Sequence, residues 1–184
     1  MIITEFLPFD QFDKYGDWLK SQPDETKELY FGVAGSDHVI NSLMDRIRTF
    51  RMDHWILVAK DQGKWVGTLH IATDGTRVEF GLIVDANRRG EGIASTMLEE
   101  ALTWAKNRGY RDLFMHCLGW NKPIQHLCHK HGLKPHNVYG DSEVQIPLGP
   151  PTWFTVAKEV GIAQRNVFHK FLQNSQFLCQ EIYG

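Results

Sequence analysis

The chain has 184 residues, of which 42% are hydrophobic and 23% charged, and a formal net charge of −2, as is typical of one globular domain with at most a small appendage. This composition excludes a wholly disordered, coiled-coil or collagen-like chain, and the small net charge creates no overall field that would recruit nucleic acid. No apolar run approaches the roughly 18–20 residues of a membrane helix. Because the N-terminus lacks the basic start of a signal peptide and the three cysteines lack paired spacing, we expect a soluble, cytoplasmic protein with reduced thiols and no membrane partner.

The first half of the chain predicts a strand, a helical region and a three-stranded meander. Residues 2–7 form a short apolar run that predicts the first strand. Proline and glycine interrupt the helical periodicity of residues 12–50, which predicts two helices, the second over 38–50. Two short polar turns separate the next three β-rich runs, which cover residues 55–59, 65–72 and 78–84. Turns of this length predict antiparallel pairing.

The second half of the chain predicts a strand between two helices and then a hairpin. A polar loop over 85–92 precedes an amphipathic helix over 93–108. The elements that follow are a strand, a short helix and the two strands of a hairpin, over 113–118, 122–131, 138–139 and 144–148. Because a strand, a helix and a strand in succession favour a crossover connection, we expect the fourth and fifth strands to be parallel within a mostly antiparallel sheet. The fold class is therefore α+β.

The clearest boundary in the chain is the sequence Gly149-Pro150-Pro151. We expect a domain over 1–148 and a helical extension over 149–184, with a helix over 152–173. One interpretation of this extension is an amphipathic hairpin that packs on the domain or on a second copy, which would give a homodimer. The alternative is a helix-turn-helix around Gly161 that presents a second helix to DNA. Nucleic acid is not an expected partner, because the basic residues on which DNA affinity depends are scarce there.

Charge is unevenly distributed along the chain. Residues 1–30 contain seven acidic residues and three lysines, whereas residues 81–135 contain eight basic and five acidic residues. The basic segment is a candidate anion site, and the acidic segment is a candidate surface for a cationic partner. Chance variation of the surface is the alternative for both.

The segment from Glu79 to Ala94 combines a strand, a glycine-containing loop and the start of a helix. The first turn of a helix has unpaired N–H groups and a partial positive charge, so it can bind phosphate. Gly90 and Gly92 would let the backbone approach an anion closely, and Arg88 and Arg89 would add mobile positive charge. A turn that needs glycine for its geometry alone is the alternative.

Two motifs of the chain, together with the order of its predicted elements, resemble those of the GNAT superfamily of N-acetyltransferases. Arg89-x-x-Gly92-x-Ala94 is similar to the Q/R-x-x-G-x-G/A signature of that family, and it follows the fourth strand as the signature does. A second block from Asn121 to Leu133 is similar to the family pattern N-x-x-[A/M]-x-x-L-x-x-K-x-G-F. The resemblance covers about residues 1–148. It implies a mixed, mostly antiparallel sheet with a parallel pair at strands four and five and helices on both faces.

The resemblance also implies acetyl-coenzyme A as the cosubstrate and no metal. The residues that would bind the coenzyme lie on the fourth strand, on the loop and helix start that follow it, and at the start of the second block. They are Leu82, Ile83, Val84, Arg89, Gly90, Gly92, Ile93, Ala94, Ser95 and Asn121.

The implied mechanism is direct attack of an amine on the thioester, with a backbone N–H near 82–84 stabilising the oxyanion. The strand that begins at Glu79 resembles that of the bacterial protein-lysine acetyltransferase (Pat) branch, which places its general base at this glutamate. Leu29-Tyr30-Phe31 also resembles an aromatic segment of that branch. We expect Glu79, between Val78 and Phe80, to be partly desolvated, which would raise its pKa toward the role of a base. A structural glutamate paired with a basic neighbour is the alternative.

Several other groups are candidates for chemistry. Cys128 stands where many family members have a tyrosine proposed as general acid, so that role does not transfer to this chain. Cys117 and Cys128 could be nucleophiles of a ping-pong transferase, and His70 and His116 could relay protons, although buried structural histidines are the simpler interpretation. Three histidines and a cysteine lie together in the sequence but lack metal-ligand spacing, at His126, Cys128, His129 and His131. The acceptor amine, whether a small molecule or a protein lysine, stays open, and the acidic segment favours a cationic one.

Overall fold

Seven strands form one mixed sheet in the computed structural model, which describes residues 2–32, 37–118, 121–133, 136–138 and 141–183. The strands are β1 Ile2–Phe6, β2 His54–Asp61, β3 Lys64–Asp74, β4 Arg77–Val84, β5 Asp112–Leu118, β6 His136–Val138 and β7 Asp141–Pro147. Their order across the sheet is β1-β2-β3-β4-β5-β7-β6. Every neighbouring pair is antiparallel except β4 and β5, which are parallel. The predicted fold class is therefore confirmed. The predicted hairpin turn at residues 139–140 lies outside the described residues.

The described residues form six α-helices: α1 Phe12–Lys20, α2 Asp24–Phe31, α3 Asp37–Thr49, α4 Ile93–Asn107, α5 Lys122–Lys130 and α6 Trp153–Tyr183. The region 12–50 contains three helices, so the prediction of two was wrong. Pro23 precedes α2 and Gly32 ends it with a φ of 74°, and these residues create the additional break because proline starts helices well and glycine adopts the left-handed conformation.

The two faces of the sheet are covered by different helices. On one face, Met97, Leu98 and Trp104 of α4 pack against apolar side chains of β2, β3 and β4. On the other face, α1 and α3 contribute Tyr15 and Ile47 to a second core that also contains side chains of β2 and β4. Because successive side chains of a strand point to opposite faces, β4 contributes to both cores.

A gap opens between β4 and β5 beyond their first residues. The two strands pair only along Arg77–Glu79 and Asp112–Phe114. The N–H of Asp85 donates to the carbonyl of Val66 in β3, and alternation along the strand directs the N–H groups of Leu82 and Val84 the other way. These two N–H groups therefore face the gap.

Helix α6 is continuous over 31 residues, so both interpretations of the extension, the amphipathic hairpin and the alternative helix-turn-helix around Gly161, were wrong. Glycine costs about 1 kcal/mol relative to alanine inside a helix. Contacts on both sides of Gly161 hold the helix against the domain: Glu159 accepts hydrogen bonds from Asn107 and Arg108 of the α4 end, and Asn166 donates to Thr4 of β1.

Over residues 153–172, whose side chains the structure describes, most large apolar side chains of α6 are exposed. The exposed apolar side chains include Trp153, Phe154, Val156, Val160, Val167, Phe168 and Phe171. The division of the chain at residue 149, the homodimer through this extension and the cytoplasmic location stay predictions. None of the helices in the described ranges combines the length and apolarity needed to cross a membrane.

Candidate active site

Two cavities meet at the gap between β4 and β5. The loop cavity has a volume of about 500 Å³ and lies between β4, the loop 88–95 and α5. The helix cavity has a volume of about 520 Å³ and lies between β4, the end of α2 and α3. The two cavities share wall residues from α2, β4 and the α5 region, namely Leu29, Tyr30, Leu82, Asn121 and Ile124.

Backbone conformation shapes one end of the loop cavity. Gly90 and Gly92 have φ values of 84° and 79°, which residues that carry a side chain rarely adopt. Gly92 is the residue before α4 and provides no side-chain cap. The first backbone hydrogen bond of the helix is donated by Thr96 to Gly92, so the N–H groups of residues 93–95 have no intrahelical partner. All three of these residues line the cavity.

The charged side chains that line the loop cavity within the described ranges are cationic. Arg89 donates to the hydroxyl of Thr26 at 2.7 Å, which fixes the guanidinium against α2. Arg88 forms ion pairs with Glu91 at 2.7 Å and Asp61 at 3.0 Å, so the expectation that it supplies mobile charge was wrong. Lys130 adds a further ammonium from the end of α5.

Asn121 and Ser95 line the loop cavity from opposite sides. The side-chain oxygen of Asn121 accepts from the N–H of Ile124 and caps α5, while its amide nitrogen donates to the carbonyl of Leu29 at 3.1 Å. The hydroxyl of Ser95 lies 2.8 Å from Nε2 of His131, whose pKa is lowered by burial. All ten residues proposed for coenzyme binding line this cavity; their role in binding stays a prediction.

Glu79 lines the helix cavity with an exposed side chain, so the expectation that it is partly desolvated was wrong. Val78 and Phe80 are buried on the other face of β4. Their apolarity therefore says nothing about the surroundings of Glu79. No basic side chain pairs with it in the described part of the chain, which removes the observation behind the structural alternative.

Tyr30 and His70 line the helix cavity, and each lies next to a second aromatic side chain. The hydroxyl of Tyr30 lies 3.4 Å from that of Tyr15 and packs so closely on Gly81 that a Cβ there would lie 2.2 Å from it. Burial and the Glu79 carboxylate raise the pKa of Tyr30 to about 12. Nε2 of His70, which also lines the cavity, lies 3.0 Å from Nδ1 of His54.

The two histidines are held in the neutral form. Burial, His54 and Arg46 lower the pKa of His70 to about 3. Burial and Arg46 also lower the pKa of His54. His70 is thus a neutral part of the wall at physiological pH, as the simpler interpretation had it.

Other candidate groups lie away from the cavities or outside the described side chains. Cys128 is fully buried in the core and is not among the residues that line either cavity, which removes the basis for treating it as a nucleophile. The side chains of His116 and Cys117 lie outside those described. Within the described ranges, no three His, Cys, Asp or Glu side chains are placed to hold a metal ion.

Sequence reasoning missed one charged group in the cavity walls, and it misjudged one charged segment. Arg46 contributes to the helix cavity but stands on α3, far from the motifs, so only the tertiary structure brings it there. Tyr30, singled out in the sequence only through the resemblance of Leu29-Tyr30-Phe31, lines the same cavity. None of the seven acidic residues of 1–30 lines this cavity. Their negative charge therefore gives no basis for expecting a cationic acceptor.

Comparisons with known proteins agree with this geometry. The model of the acetyltransferase (GNAT) family matches residues 13–133. The Bacillus subtilis (strain 168) protein YwnH, provisionally named phosphinothricin acetyltransferase, is 43% identical over 54 residues, which are 29% of this chain and 33% of that protein. The match therefore spans about a third of the length of that relative.

Solved structures share the fold. The GNAT domain of S. lividans PAT has a TM-score of 0.65 at 19% identity and covers 79% of this chain and 89% of its own. Spermidine N-acetyltransferase from Vibrio cholerae, in complex with CoA and spermine, has a TM-score of 0.62 at 14% identity. That match covers 80% of this chain and 95% of the Vibrio cholerae chain. At these identities the likeness shows the fold alone.

Proposed function

Because the chain belongs to the acetyltransferase (GNAT) family, we propose that it transfers an acetyl group from acetyl-coenzyme A to a primary amine. The observation that carries this proposal is the meeting of two cavities at the gap between β4 and β5. The loop cavity offers an anion-binding backbone, and the helix cavity offers a carboxylate. Their shared walls would bring a thioester and an amine together without a covalent enzyme intermediate.

The groups that line the loop cavity suit the charge of coenzyme A. The free N–H groups of residues 93–95 and the cations Arg89 and Lys130 suit its phosphate groups. Acetyl-coenzyme A supplies an activated acetyl group when bound. The N–H groups of Leu82 and Val84, which face the gap, are the donors that would stabilise negative charge on the acyl oxygen during transfer.

Glu79 is the group that would prepare the amine. An amine with a pKa near 10 is mostly protonated at neutral pH and cannot attack in that form. The Glu79 carboxylate would attract the ammonium ion and accept its proton, directly or through one water molecule. Its solvent exposure gives the proton a route out of the site. Because this glutamate makes no ion pair in the described part of the chain, its charge is free for this role.

Two measurements test the proposal. Coenzyme A at about 100 times its Kd should stabilise the protein by roughly 2.7 kcal/mol, which differential scanning fluorimetry detects as a higher Tm. Thiol release from acetyl-coenzyme A should then depend on an added amine. A folded protein whose Tm responds to neither coenzyme A nor acetyl-coenzyme A would overturn the proposal, and so would thiol release that no amine in a broad panel accelerates.

A further inference from the structure

Two opposite charges without partners face the helix cavity. Glu79 on β4 and Arg46 on α3 are the charged side chains among the described residues that line it. No hydrogen bond or ion pair joins either side chain to the described part of the chain, or one to the other. Arg48, two residues further along α3 and outside the cavity, is by contrast bonded to Asp13 and Asp45 at 2.8 and 2.9 Å.

The charge of Arg46 acts on the interior of this cavity. It contributes to the lowered pKa of His70, which lines the cavity, and of its neighbour His54, with burial as the main cause in both. Both Glu79 and Arg46 also influence the pKa of Tyr30, in opposite directions. With His70 neutral, Arg46 is the one cation that a ligand in the helix cavity would meet on its described walls.

We propose that the acceptor is a zwitterionic amine, whose amino group lies at Glu79 and whose carboxylate, phosphinate or phosphonate group lies at Arg46. This inference rests on the proposed acetyl transfer and names the class of acceptor. A guanidinium binds such anions through two parallel hydrogen bonds. The cavity volume of about 520 Å³ falls in the range of small-molecule sites. A polyamine would place a second positive charge near Arg46, which is repulsive.

The first test compares acceptors that carry different anionic groups or none, with each amino acid and its α-carboxamide as the matched pair. We would measure kcat/KM by thiol release for L-amino acids and their α-carboxamides, for phosphinothricin and 2-aminoethylphosphonate, and for spermidine. A hydrogen bond between charged groups contributes about 1.5–3 kcal/mol. We therefore expect kcat/KM for the best amino acid to exceed that for its α-carboxamide by about 10- to 100-fold. The carboxylate, phosphinate and phosphonate arms identify which anion Arg46 prefers. Equal rates for acids and carboxamides, or spermidine as the best acceptor, would overturn the proposal.

The second test removes the cation. Arg46→Gln should raise KM for the anionic acceptor by about 10- to 100-fold, leave kcat nearly unchanged and abolish the preference over the carboxamide. Arg48→Gln is the matched control, because it removes the same charge from the same helix outside the cavity. Arg46 is exposed, so an unchanged Tm should accompany the kinetic effect. An Arg46→Gln protein with the kinetics of the wild type would refute the subsite.

Calorimetry separates this inference from the proposed function. Titration of the same amino acids into the protein saturated with coenzyme A reports binding without turnover. If no acceptor is acetylated but an anionic amine binds in a manner that depends on Arg46, acetyl transfer fails and the subsite stands. If acetylation proceeds but no anionic amine binds, even at millimolar concentration, the subsite fails and acetyl transfer stands.

Discussion

The loop cavity and the helix cavity share walls but are built in different ways. The loop cavity takes its anion-binding groups mainly from the backbone of one continuous segment, residues 88–95. The helix cavity takes its charged groups from single side chains on separate elements, with Glu79 on β4 and Arg46 on α3. Backbone recognition tolerates many side-chain changes, whereas a site made of isolated side chains alters with each substitution. We infer that this chain shares the first cavity with its family and that the second sets its own acceptor.

Replacing Glu79 should affect the helix cavity alone. Glu79→Gln is expected to lower kcat by about 10²–10⁴, the usual contribution of a positioned base, while the Kd for coenzyme A stays the same. Steady-state kinetics and calorimetry on one preparation measure both values. Glu28→Gln, an exposed glutamate of α2 that lines neither cavity, is the control. Retention of more than about a third of kcat at pH 7 would exclude general-base catalysis by this residue.

Replacing Gly92 should produce the reverse pattern. Gly92→Val places a side chain where the backbone has a φ of 79° and the loop faces the cavity. We expect the Kd for coenzyme A to rise at least about tenfold, equivalent to 1.4 kcal/mol, with acceptor binding less affected. Gly63→Val is the matched control, because Gly63 has a φ of 78° in an open turn outside both cavities. If both variants bind coenzyme A as the wild type does, the loop is not the phosphate site.

The histidine pair should make the wall of the helix cavity sensitive to acid. The pKa of His70 is about 3 in the folded protein and near 6.5 in the unfolded chain. The unfolded chain therefore binds the proton first as pH falls below 6.5, and each unit of pH below that value should remove up to about 1.4 kcal/mol of stability. Urea titrations between pH 7 and pH 5 measure this slope.

The matched variants isolate the buried histidine. His70→Gln should flatten the dependence of unfolding free energy on pH, whereas His38→Gln, on the exposed surface of α3, should leave it unchanged. The same slope in both variants would show that other groups cause the loss of stability in acid.

Sequence reasoning located the loop cavity because its residues are consecutive and their chemistry is local. Glycines that precede an amphipathic helix indicate an anion site without knowledge of the tertiary structure. Arg46 could not be assigned in this way, since nothing along α3 distinguishes it from Arg48. The burial of Glu79 was misjudged because neighbours in a strand lie on the opposite face.

Local patterns also explain which parts of the fold could be predicted from the sequence. Turn length and β-rich composition were sufficient to predict β2, β3 and β4 as an antiparallel meander. The path of α6 was not predictable, because the contacts that hold it against the domain join it to residues more than 50 positions away, including Thr4 and Asn107.

Helix α6 is attached to the domain mainly through charge. Its domain-facing side forms ion pairs that join Lys158 to Glu99, Glu159 to Arg108 and Lys170 to Glu5, while most of its large apolar side chains that the structure describes, up to residue 172, are exposed. Ion pairs at a surface weaken as salt shortens the Debye length, whereas apolar cores do not. We therefore expect the helix to be a separate unit of local unfolding, whose amides should exchange with solvent faster as salt is added while those of β2 and β3 keep their protection.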